Sequence, residues 1–144
     1  MTIDPERALV GGVLARQAGE AALEPWLGSP ARVHEQAPEQ TTYPYLTVSR
    51  AQSRPSAWEG GGTEHLLTIT AVCRHGGAEE ARGVVGAVRR VLEAEPPATD
   101  GHRLIDIRPV YSDVFASSDR ISTLGVVRFR AVTEPLLQII EEAA

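Results

Sequence analysis

Lysine is absent from this chain of 144 residues, and all 14 of its basic side chains are arginine. That removes Schiff-base catalysis, which needs a lysine amine, and the phosphate-loop motif, whose lysine reaches the β/γ-phosphates of a nucleotide. Cysteine occurs once, at Cys73, so no internal disulfide forms, in agreement with a reducing compartment. No apolar run approaches the roughly 20 residues a membrane-spanning helix needs, and the chain reads as soluble, with no membrane partner. The opening "MTIDPERALVGG" holds acidic residues where a signal peptide carries a basic segment, which argues against export by that route. Positive charge is also in short supply. Nineteen carboxylates leave a net charge of −5, a poor balance for tight binding to a nucleic acid backbone.

The chain does hold an ordinary globular share of hydrophobic residues, 42%, at a length that suits one domain. Asp4 is placed to cap a helix that has Pro5 in its first turn and Ala8, Leu9, Val13 and Leu14 on one face, ending near Ala18. Residues 19–40 carry Pro25, Gly28, Pro30 and Pro38 and are expected to be irregular, with "RVHEQ" as a short strand. "YLTVS" from Tyr45 reads as a strand introduced by Pro44, and residues 51–63 read as a loop. The run from His65 to Cys73 has apolar residues on both faces, the pattern of a strand covered on both sides.

The clearest helix follows, with Ala81, Val84, Val85, Val88, Val91 and Leu92 at helical spacing and Pro96 and Pro97 beyond its end. Two alternating strands, "HRLIDIRPVYS" and "ISTLGVVRFRAVTE", are joined through residues 112–122, and "PLLQIIEEAA" reads as a short amphipathic helix. In the first of these strands Leu104, Asp106 and Arg108 oppose Ile105, Ile107 and Tyr111. The expected fold is α+β: a mostly antiparallel sheet of four to five strands packed on one long helix, with an N-terminal helix and a C-terminal helical tail. Residues 1–134 form the domain and 135–144 the tail.

Chemical sites are sparse. Cys73 and His75 are two apart, but His65 lies roughly 33 Å from His75 along an extended strand, and two ligands make no zinc site. Ser117, Ser118 and Asp119 read as turn chemistry, since no nucleophile elbow G-x-S-x-G is present. Glu79 and Glu80 sit in the first turn of the long helix, where the dipole favours them. Arg103, Arg108, Arg128 and Arg130 form a small cationic patch on two neighbouring strands, either a solvated face paired with carboxylates such as Asp106 or a subunit interface. The glycine triplet 60–62 lies between Glu59 and Glu64 and precedes a strand rather than a helix, so it is no phosphate cradle.

"TYPYLTV", the glycine-bearing loop, "EHLLTITAVCRHGGAEEARGVVGAVRRVLE" and "RLIDIRPVYSDVFASSDRISTLGVVRFRAVTE", in that order, resemble the tail terminator or tail-completion proteins of long-tailed bacteriophages and gene transfer agents. The resemblance implies a structural virion protein and no enzyme, without cofactor or metal. It implies a hexameric ring at the head-proximal end of the tail, assembled in the bacterial host cytoplasm. Such a ring ends polymerisation of the major tail tube protein, meets the head–tail connector, and lets DNA pass without specific binding. On this reading the loops 51–63 and 112–122 touch neighbours. The expected interface residues are Arg54, Trp58 and Glu59 in the first loop, Phe115, Asp119 and Arg120 in the second, and Arg128 and Arg130 on the last strand. Trp58 is the expected anchor, as aromatic residues are enriched at interfaces. The residues alone leave open two other classes. A small cytoplasmic ligand-binding or enzymatic domain requires a concave pocket with converging polar groups, and a nucleic-acid-binding module requires steeply salt-dependent affinity.

Overall fold

Asp4 starts the fold. Its carboxylate accepts the Arg7 amide at 3.1 Å, and Pro5 takes the first helical position, where its missing N–H costs nothing. In the computed structural model, which describes residues 4–57 and 61–136, helix α1 spans Pro5–Ala18. A 3-10 turn (Ala21–Leu23) and a short α2 (Glu24–Leu27) lead to β1 (Val33–His34) and β2 (Tyr45–Pro55). Then come β3 (Thr63–Cys73), the long α3 (Gly77–Ala94), β4 (His102–Ala116) and β5 (Thr123–Pro135).

The strands form one sheet in the order β1-β2-β3-β5-β4, antiparallel throughout except for the parallel pair β1–β2. Strand β3 is central, and every second residue on it is buried: His65, Leu67, Ile69, Ala71 and Cys73. Opposite them on β5 lie Ala131, Phe129 and Val127, also buried. This inner face packs on the apolar stripe of α3, whose Ala81, Val84, Val88 and Leu92 are each at most 1% exposed. Leu9 and Val13 of α1 join the same core. Helix α3 has no basic residue in its own last turn. Arg16 of α1 supplies one, with Nη2 donating to the Val91 carbonyl at 3.2 Å and Nε to that of Glu95 at 3.0 Å. A cation there adds to the bonding of the last carbonyls, that of Val91 already accepting the Glu95 amide at 3.3 Å, and complements the helix dipole.

Several expectations from the sequence change. Residues 19–40 are partly helical, because Pro25 serves as an early position of α2 rather than as a breaker. Residues 51–55 are strand, not loop: they pair with β3 from Thr63 to Leu67, and that backbone pairing outweighs the weak strand preference of "AQSRP". The second connection shrinks likewise, since Ser112–Ala116 pairs with Val127–Thr123 and leaves residues 117–122 as the turn. Among the described residues helices cover β3 on one side only, and its even-numbered residues on the other side are half-buried. Strand β4 does not alternate simply. Register shifts between Leu104 and Asp106 and between Pro109 and Tyr111 put Leu104 with the core, opposite Thr133, and turn Tyr111 out opposite Arg128. Pro135 ends β5 rather than opening a helix, and residues 137–144 lie outside the described residues.

Close approach fixes two glycines. A β-carbon on Gly125 would lie 2.8 Å from Val85 Cγ2 of α3, and one on Gly12 would run into the carbonyl of Ala98. We expect Gly12→Ala to lower folding stability by about 1–3 kcal/mol, the usual range for overpacking, despite alanine's better helix propensity. Urea unfolding checks this, and an unchanged or raised midpoint would contradict the tight α1 contact.

Candidate functional site

The side chains that β3 turns away from the helices are Glu64, Leu66, Thr68, Thr70 and Val72. Register places Leu124, Val126, Arg128 and Arg130 of β5 beside them, and Arg108, Tyr111, Asp113 and Phe115 of β4 beside those. Arg50, Gln52 and Arg54 of β2 complete the other flank. This open face is a mixture of apolar side chains and arginines. Tyr111 and Phe115 are 48% and 43% exposed on it.

Glu64 is its electrostatic centre. One carboxylate oxygen accepts Arg130 Nη2 at 3.0 Å and Arg54 Nη2 at 3.2 Å. These two arginines, Arg130 foremost, hold the Glu64 carboxyl below the usual carboxylate range. A shallow hollow of about 440 Å³ lies there, lined by Gln52, Leu66, the same charged groups and, from the inner side, Ser53 and His65. Arg108 pairs with Asp106 at 3.7 Å and Arg103 with Glu134 at 3.6 Å. Arg128 has a different partner: its guanidinium lies 5.1 Å from the centre of the Tyr111 ring, and the Tyr111 hydroxyl donates to Asp113 at 3.2 Å.

Of the residues singled out from the sequence, Arg54 and Arg130 are brought together on Glu64, and Arg128 and Phe115 stand on the same face. Asp119 and Arg120 lie apart, in the β4–β5 turn. There the Ser117 hydroxyl and the Ile121 amide bond Asp119 and lower its pKa, while Arg120 takes a positive φ of 61°. Trp58 and Glu59 lie outside the described residues. The Cys73 thiol is buried, and its pKa is pushed up to about 12, first by burial and then by the Glu80 carboxylate. At neutral pH the buried thiol is held in its protonated form, which disfavours a nucleophilic role.

Two groups, Tyr111 and His65, have roles that the sequence pattern does not show. Tyr111 faces outward only because of the β4 bulge. His65, buried at the sheet's inner face, joins a relay of three elements: Glu6 of α1, Ser53 of β2 and Thr133 of β5. Ser53 gives its one hydroxyl proton to Glu6 at 2.7 Å, so His65 Nδ1, also at 2.7 Å, must be the donor to Ser53 Oγ. Nε2 is then left to accept the Thr133 hydroxyl at 2.8 Å. A hydrolase histidine takes the serine's proton; this one gives a proton to the serine, and the relay ties α1 to the sheet instead of activating a nucleophile.

The sequence profile of the family described as "Tail completion protein gp17" matches residues 7–134. No curated protein sequence matches significantly. Among solved structures, a chain of the "Virion of native gene transfer agent (GTA) particle" superposes with a TM-score of 0.81 at 18% identity. The match covers 92% of this chain and 99% of that one, which establishes a shared fold.

Burial, chiefly, lowers the His65 pKa from its ordinary value, His102 adding to the shift while Glu6 and Asp4 oppose it. The folded chain therefore binds fewer protons here than the unfolded chain. The stability involved is complete above the unfolded value of about 6.5 and is lost as pH falls through the folded value. We expect the urea midpoint to drop between about pH 7 and about pH 5.5, and to drop less in His65→Gln. Equal drops in the two proteins would contradict a neutral buried His65.

Proposed function

Because this chain belongs to the tail completion protein gp17 family, and so to the structural components of a bacteriophage or gene transfer agent tail, we propose that it is the terminator of that tail. Its task is to cap the growing tube of the major tail protein at the head-proximal end and to offer the head–tail connector a surface to join. It acts as a ring of six copies through whose channel DNA passes. The observation that carries this reading is the family match from residue 7 to residue 134, which takes in every strand and both long helices but for the first two residues of α1 and the last of β5. The site chemistry supports it. The prominent surface is an open sheet face with exposed Tyr111 and Phe115 among arginines, the composition of a protein interface. The hollow at Glu64 has its one carboxylate committed to two guanidinium groups, and the contact between Ser53 and His65 runs in the non-catalytic direction. Both features disfavour the rival reading as a small enzyme.

Purified chain added to polymerising tail-tube protein should stop elongation and shorten the tubes in a dose-dependent way, with a ring visible at one end by electron microscopy. Tubes of unchanged length and bare ends would sink the terminator reading. Removal of residues 58–62 should weaken tube capping if that loop touches the tube, and unaltered capping would take the loop out of the contact.

A further inference from the structure

We propose that the open sheet face of one subunit docks on the acidic helical side of a second copy of this chain, so that the copies associate head to tail through unlike faces. The proposal rests on the ring reading above and adds which two surfaces meet and what force selects them.

The sheet face holds six of the chain's 14 arginines: Arg50, Arg54, Arg103, Arg108, Arg128 and Arg130. It holds four of the 19 carboxylates: Glu64, Asp106, Asp113 and Glu134. The face is thus net positive in a chain of net charge −5, and the remainder is more negative than the whole. On the helical side a groove of about 780 Å³ runs beside α1 and is rimmed by Asp4, Glu6, Glu35 and Asp100 against one cation, Arg7. Among the described residues these four carboxylates make no ion pair; the pairs formed gather on the sheet face or at Arg16. The sheet face and the groove beside α1, on opposite sides of a two-layer subunit, therefore carry opposite charge. Unlike faces that attract produce a heterologous contact, the kind that can close into a ring.

Edge-to-edge sheet pairing is the competing route, and the strands are built against it. The free edge of β4 carries Pro109, which lacks an N–H, and two register shifts. The free stretch of β2 begins at another shift, between Val48 and Arg50, and ends at Pro55. A nucleic acid is a poorer occupant of the sheet face than a protein. Leu66, Val72, Leu124 and Val126 occupy it, and its carboxylates would oppose phosphates. A second copy is favoured over an unrelated acidic protein because this chain itself supplies the acidic surface.

Arg128 tests the contact, since it is exposed and engages a ring rather than a carboxylate. Sedimentation of the full chain should show self-association at about 50 mM salt that weakens at about 500 mM, where the Debye length has shrunk severalfold. Arg128→Glu and Glu35→Arg should each weaken self-association by about tenfold or more, and an equimolar mixture of the two should regain much of the loss. Arg128→Lys, which keeps the charge, should associate nearly as the natural chain does. Thermal unfolding of each variant identifies any that fails to fold, and the acidic-side variants Glu35→Arg and Asp100→Arg give independent readings. A chain that stays monomeric at low salt and millimolar concentration overturns the proposal. So does association indifferent to salt and to both reversals, a loss in Arg128→Lys equal to that in Arg128→Glu, or an Arg128→Glu effect confined to binding of duplex DNA or of another acidic protein. Association through these faces without tube capping would keep this contact and discard the terminator reading. Capping by rings insensitive to Arg128→Glu would do the reverse.

Discussion

The period-two alternation of β3 is the constraint from which most of this molecule follows. His65, Leu67, Ile69, Ala71 and Cys73 must all face one way, and Glu64, Leu66, Thr68, Thr70 and Val72 the other. Among the described residues only the first set is dried by helices. The helical layer is drawn close where side chains are missing, with Gly12 against Ala98 and Gly125 beneath α3. At the packing densities of protein interiors such positions leave no space for an extra methyl group. The second set is left with a composition suited neither to bulk water nor to a core of its own, which is why the functional reading centres on that face.

Polar groups on the two sides of the sheet do different work. On the inner side they are few, and His65 is held between Ser53 and Thr133, so the buried ring is fully bonded and joins α1 to three strands. A satisfied buried relay of this kind specifies one way of docking α1, since a rotated helix would take Glu6 from Ser53. On the outer side the charges are exposed and individually weak in water. Their value to the protein lies in arrangement: arginines interspersed with apolar side chains make a surface that discriminates between partners more than it adds to the stability of the fold.

Much of this was legible in the sequence. Asp4 and Pro5 announced α1, the valines of "ARGVVGAVRRVLE" fixed the buried stripe of α3, and alternation identified β3 and β5. The misreadings share one cause. Residues 51–55 carry little strand propensity, and in 112–116 Ser112 and Asp113 mask that of Val114 and Phe115; both stretches are strand because long partners pair with them, information that resides in the register. The bulges in β4 are of the same kind: nothing local in "LIDIRPVYS" states that Ile105 and Val110 will be skipped. Hence simple alternation puts Tyr111 on the wrong face and does not show its contact with Arg128, and Glu64 is the junction of Arg54 and Arg130 only through the pairing of β2, β3 and β5. Arg128 and Arg130 needed no such help, being two apart on a strand whose other face is plainly apolar.

Arg16 carries an implication for the order in which the chain acquires its structure. At 14 residues α1 is near the length below which an isolated helix is marginal in water, and its lasting contacts lie far downstream. The carbonyls that its arginine bonds belong to Val91 and Glu95, 75 and 79 residues further along. During synthesis α1 therefore leaves the ribosome well before the α3 carbonyls it will bond exist, although β2, which supplies Ser53 to Glu6, follows it sooner. Helix α1 is thus made before α3 and fully secured only after it, and its docking completes the bonding at the C-terminal end of α3.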